Sequence, residues 1–205
     1  MNTTTANEAT AMRERWSNTS VALHWISAAF IVGLATAGFV MTDQPADSSV
    51  RLLMSRMHTL GGATLMLLTV ARLVVRRRGP AVKPLPLSEL HRRGVGVIHA
   101  LLYVAIFGMG ASGFVAGARS AWPEYLRGQL AEAPALDVLV SRQAHEVLVF
   151  ALIGLVLLHV AGVMLQQVRN GGVLERMVPF LDRKSRVPEP KARADGAVPE
   201  RESRA

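Results

Sequence analysis

Six histidines and no cysteine set the chemistry open to this 205-residue chain. Without thiols there are no disulfides, no thiolate zinc or iron–sulfur sites, and no C-x-x-C-H motif for covalent haem attachment. Five histidines, His24, His58, His99, His145 and His159, lie in or at the edges of long apolar runs, and His91 belongs to a basic loop. Histidines are rare inside such runs because a polar ring in hydrocarbon needs a partner. One alone reads as an imidazole hydrogen-bonded to a neighbouring helix, whereas a set at matching depths points to shared ligation. His145 and His159 are separated by fourteen residues. On an α-helix that is ~21 Å along the axis, with a rotation only ~40° short of whole turns. One helix face therefore carries imidazole at two depths.

The elements that must position these rings are four apolar runs, at about 20–41, 52–75, 94–118 and 145–168. Each reaches the roughly 20 residues needed to cross a bilayer. In lipid the backbone must pair within its own segment, so helices are expected. The fold class expected is all-α, a transmembrane four-helix bundle. The first run follows some twenty mostly polar residues and exceeds the ~7–15 apolar residues of a signal peptide, so it reads as a retained helix. Residues 1–15 read as a flexible tail, 16–182 as the membrane domain, and 183–205, rich in Pro, Ala and charge, as a disordered tail.

Lys and Arg number 23 against 15 Asp and Glu, a net charge of +8. This excess could suggest nucleic acid, but it lies between apolar runs rather than on a soluble basic face. The loop between runs two and three carries Arg76, Arg77, Arg78, Lys83, Arg92 and Arg93, and the segment after run four carries Arg169, Arg176, Arg183, Lys184 and Arg186. The loop after run one has two acids and no base, and the one from 119 to 144 is balanced. Positive loops stay inside, so both termini and the middle loop are expected to be cytoplasmic in a multi-pass inner-membrane protein. The charge is then an orientation signal, and no nucleic-acid partner is expected.

With this topology His24 lies about a turn inside the cytoplasmic end of run one, and His58 in the outer third of run two. The levels match in pairs: His24 with His159 inside, His58 with His145 outside. Two imidazoles alone suit zinc poorly, since it takes three or four protein ligands, and dinuclear copper would be left incompletely coordinated. Haem supplies four equatorial nitrogens and leaves two axial positions, so two non-covalent, bis-histidine b haems fit the ligand count. Gly62, one turn past His58, would clear room for a ring, and Gly154 lies between the histidines of run four. Arg72, fourteen residues after His58, shares its face and reaches the inner level, where it could pair with a haem propionate or snorkel to the surface. His99 is level with His24 and competes with it for the inner site. The Gly113–Gly117 G-x-x-x-G reads as close helix packing, within the chain or in a homodimer.

The chain resembles bacterial cytochrome b561, the four-helix dihaem family that overlaps the cytochrome b subunits of membrane hydrogenases. The resemblance rests on L-H-W in run one, M-H-T-L-G-G and V-A-R-L-V-V-R in run two, and H-A-L-L-Y-V-A in run three. A-H-E fourteen residues before L-H-V-A, and then G-G-V-L-E-R-M-V-P, complete it over about residues 15–182. It implies His24 and His159 as ligands of the inner haem and His58 and His145 as ligands of the outer one. It also implies that His99 is no ligand and that a quinol or quinone is the lipid-soluble partner.

Bis-histidine iron has no open position for substrate, which favours electron transfer. The protein would then carry electrons across the membrane between the quinone pool and an external donor or acceptor. The alternatives are the membrane subunit of a larger hydrogenase- or formate dehydrogenase-type oxidoreductase, and a haem-free transporter using histidines as a relay. Arg51, Arg56, Asp137 and Arg142 cluster near the outer level, where they could bind a quinone headgroup or serve as ordinary interfacial charges.

Overall fold

The computed structural model describes residues 15–83 and 87–178; the two tails expected at 1–15 and 183–205 lie outside them, apart from Arg15. Four long helices dominate: α1 (Asn18–Thr42), α2 (Ser49–Arg78), α3 (Glu89–Ala118) and α5 (Val140–Asn170). All four are long and apolar enough to cross a membrane. Two short helices, α4 (Trp122–Leu126) and α6 (Leu174–Met177), follow α3 and α5.

Each long helix runs past its apolar run because polar residues can start a helix as well as interrupt a hydropathy pattern. Ser17, Ser48 and Ser88 are N-caps whose side chains accept from the main-chain N–H of Ser20, Val50 and His91, satisfying donors that the first turn leaves free. Arg76, Arg77 and Arg78 occupy the last turn of α2, where cations meet the negative end of the helix dipole. Gly171 and Gly172 follow α5 with φ of 65° and 77°, a backbone that glycine adopts without a Cβ clash. The Gln167 side-chain oxygen accepts from Val173 and Leu174 N–H and so fixes the reversal into α6.

The bundle is built as two pairs. Helix α1 packs along α2, and α3 along α5, while the two pairs touch lightly through α2 and α3. The densest packing lies at mid-length, where Leu65, Ala105, Ile106 and Leu152 are buried against Phe30, Ile31, Leu34 and Met66 among others. The perimeter is apolar: Phe114 is 77% exposed, Leu67 72% and Val147 70%. Such a surface suits lipid, which makes no demand for polar cover.

One end gathers the basic residues. There the Arg76 guanidinium lies over the Trp16 ring at 5.8 Å, and Arg176 donates to the Lys83 carbonyl at 2.6 Å. Trp25 Nε1 donates to the Met177 carbonyl at 2.8 Å, tying the start of α1 to α6. At the far end Trp122 Nε1 donates to Thr59 Oγ1, joining α4 to α2.

Candidate functional site

Seven residues are two helical turns less ~20°, so positions seven apart stay on one face. On the inward faces of the long helices this register reads His24–Ile31–Gly38 in α1 and His58–Leu65–Arg72 in α2. It reads His99–Ile106–Gly113 in α3 and His145–Leu152–His159 in α5. The antiparallel helices thus stack three layers. The basic-end layer holds His24, Arg72, His99 and His159; the middle holds Ile31, Leu65, Ile106 and Leu152; the far layer holds Gly38, His58, Gly113 and His145. The middle layer coincides with the apolar core and separates two polar levels by about two turns each way.

In the far layer the His58 and His145 ring centres are 6.3 Å apart, at an interplanar angle of 66°. A Cβ at Gly38 would come within 3.3 Å of His58 Cε1, and one at Gly113 within 3.3 Å of His145 Cε1. Each imidazole therefore nests against a glycine of the helix paired with its own. Gly113 receives the His145 ring, and a Cβ at Gly117 would lie 3.5 Å from the Trp122 ring. The G-x-x-x-G expected to bring helix backbones together instead seats two aromatic rings of the same chain. His145 Nδ1 lies 3.1 Å from the Met109 carbonyl and 3.2 Å from Ser112 Oγ. A carbonyl can only accept, so Nδ1 carries the proton and Nε2 keeps a free lone pair.

In the basic-end layer the His24 and His159 ring centres are also 6.3 Å apart, at 71°. His99 lies nearer, 5.2 Å from His159. Arg72 lies over the Tyr103 ring at 6.0 Å and within electrostatic reach of all three histidines. Among the described residues His24 Nδ1 and Tyr103 Oη are buried with no hydrogen-bond partner. A Cβ at Gly62 or Gly154 would meet nothing within 4 Å.

The fit to an axially ligated group can be tested on these distances. Two imidazoles bonded in trans to one metal ion, each at about 2 Å, place their ring centres about 6 Å apart. Both cross-pair contacts have that spacing, and both join α5 to a helix of the other pair. The far level offers two imidazoles, and at the basic end the His24–His159 pair has the same spacing with His99 beside it. Among the described residues no group of three or more His, Cys, Asp or Glu is arranged to hold a metal ion. The seam between the lightly touching pairs, where Gly62 one turn past His58 carries no side chain, suits a flat group. Gly154, expected to help clear that room, is instead exposed and lies about 140° around α5 from His159. The donor set thus fits haem: His24 and His159 at the basic end, His58 and His145 at the far end.

The four polar residues expected near the far level have duties within the chain. Arg51 donates to the Gln44 carbonyl at 2.8 Å and Arg56 to the Leu126 carbonyl at 2.7 Å. Arg142 pairs with Glu146 at 3.0 Å, and the Asp137 main-chain carbonyl accepts from Gln143 at 3.0 Å. The contacts of Arg51, Arg56 and the Asp137 carbonyl tie connecting segments to the far end of the bundle, while Arg142–Glu146 is a pair one turn apart within α5.

Comparison with known proteins gives the chain's family. The family model described as prokaryotic cytochrome b561 matches residues 15–180. Cytochrome b561 homolog 2 of Escherichia coli (strain K12) is 30% identical over 103 residues, which are 50% of this chain and 55% of that relative. The match thus spans about half the length of the curated relative. No solved structure matches. The chain is a multi-pass membrane protein with all-helical architecture, and it belongs to the prokaryotic cytochrome b561 family.

Proposed function

We propose that the protein is a dihaem b-type cytochrome that carries electrons across the bacterial inner membrane and exchanges them with the quinone pool. The observation that carries this reading is the repeated imidazole geometry: two cross-helix pairs with the same 6.3 Å ring spacing, at levels fourteen residues apart on one face of α5. Bound haem would supply reversible one-electron redox chemistry, and the protein groups do the rest. His24 and His159 would hold one haem and His58 and His145 the other, leaving no place at the metal for substrate. The apolar layer of Ile31, Leu65, Ile106 and Leu152 keeps water out between the levels. Arg72 places a positive charge beside the basic-end group, where it can hold a propionate. By the distribution of loop charge, the basic end and both termini face the cytoplasm.

The quinone part is tested by adding a reduced ubiquinone or menaquinone analogue to the purified protein in lipid nanodiscs. Rapid appearance of reduced b-type absorbance is expected, and no reduction by either quinol would remove quinone from the account. Arg72 gives a second expected result. Both a cation near ferric iron and a cation neutralising a propionate favour the reduced state. Arg72→Leu should therefore lower the midpoint of the basic-end haem by on the order of 60 mV, a tenfold change for one electron. Potentiometric titration reads this directly, and an unchanged or raised midpoint would take Arg72 out of the site.

A further inference from the structure

The basic-end layer holds one imidazole more than two axial positions require. His24 and His99 occupy equivalent places in the two helix pairs. Each begins the same seven-residue register of His, Ile and Gly, His24–Ile31–Gly38 and His99–Ile106–Gly113. Each stands on the first helix of its pair. The equivalence extends to the far layer, where a Cβ added at either Gly38 or Gly113 would come within 3.3 Å of an imidazole. The second helices of the pairs correspond likewise, with His58 matching His145, Leu65 matching Leu152, and Arg72 in the place of His159. The bundle is thus a near-repeat of one helical hairpin, and His159 faces two equivalent imidazoles.

The hydrogen bonding of these two rings differs in a way that bears on ligation. Histidine ligands commonly donate their second ring N–H to a carbonyl or carboxylate, which fixes the tautomer and orients the ring. His99 already does so: its Nδ1 lies 2.8 Å from the Val95 carbonyl, which can only accept. Nε2 of His99 is left with its lone pair, as in His145. His24 has no such anchor among the described residues, its Nδ1 being buried there without a partner. The His99 ring is also the nearer one to His159, at 5.2 Å against 6.3 Å.

Building on the dihaem reading, we infer that the basic-end haem site has a fixed axial ligand, His159, and two interchangeable partners, His24 and His99. His24 has the trans spacing; His99 has the fixed tautomer and the shorter reach. A small displacement of the ring seat toward α3 exchanges one for the other without loss of the cofactor. The far level has no such reserve, since glycine stands in both corresponding positions.

The test uses the full-length chain in detergent, with haem per chain measured by pyridine haemochrome and spin state by electron paramagnetic resonance. His24→Ala and His99→Ala should each retain two low-spin haems that do not bind carbon monoxide. The double variant should fall to one, with the far haem intact as an internal control of folding. His24→Leu, which refills the ring volume with apolar atoms, is read beside His24→Ala. The inference is overturned if both His24 variants lose the basic-end haem, or carry it in high-spin, carbon monoxide-reactive form. It is equally overturned if His99→Ala alone drops the count to one. A wild-type chain that binds no haem would overturn the dihaem reading itself, an outcome distinct from loss in the single variants.

Discussion

His159→Ala should reduce the haem content from two per chain to one, leaving the far haem in place. Both imidazoles at the basic end, His24 and His99, have contact with the His159 ring, so removing that ring leaves neither with its trans partner. The far pair lies fourteen residues along α5, ~21 Å away by helix geometry, with the packed middle layer between. That separation predicts independence: effects at sites more than ~7–10 Å apart with no shared partner are usually additive. His145→Ala should give the reciprocal result, loss of the far haem with the basic-end one retained. Reduced-minus-oxidised spectra and a two-wave redox titration identify which haem remains. Should His159→Ala remove the far haem and spare the other, the layer assignment would be wrong.

Gly113→Leu should displace the far haem while leaving the fold and the basic-end haem in place. The first carbon added at Gly113 already comes within 3.3 Å of His145 Cε1 and 3.4 Å of its Nδ1. Leucine adds three more carbons in the same direction, against a ring whose Nδ1 is held by Met109 and Ser112. Overpacking of this kind costs about 1–3 kcal/mol. Placed on the seating of a ligand, that is roughly a fivefold to hundredfold loss of haem retention. Gly113→Ala should give a smaller loss in the same direction. Gly117→Ala meets only ordinary contact with the Trp122 ring, at 3.5 Å, and should retain both haems. If Gly113→Leu keeps a full complement of haem with unchanged spectra, the glycine seat has no bearing on ligation.

The four membrane helices and the two-level arrangement of imidazole were readable because they rest on hydropathy and on helical period, both local properties of the chain. His145 and His159 fix two depths on one helix, and charge in the loops orders the remaining rings against them. The seats for the rings were harder to read. Gly113 has the sequence signature of helix–helix packing, and Gly38 lies in an apolar run with no signature at all. A glycine records that something comes close without recording what does. The seven-residue register through His24, Ile31 and Gly38, repeated at His99, Ile106 and Gly113, is the pattern that connects each seat with its layer. It is visible in the sequence once the helices are aligned by their histidines. Helix ends were less readable, since the caps at Ser17, Ser48 and Ser88 are polar and fall outside the apolar runs. The short helix α4 was missed for a similar reason: it is one turn of mixed polarity, opened by Pro123. The grouping into α1 with α2 and α3 with α5 depends on tertiary packing, and the long segment between α3 and α5 leaves no local trace of it.

The account depends most directly on the presence of two haems on four named histidines. The pyridine haemochrome assay on the purified full-length protein, scaled to protein by quantitative amino-acid analysis, measures that quantity. The expected value is two b-type haems per chain, low-spin in both oxidation states; a chain without haem would contradict the account at its base.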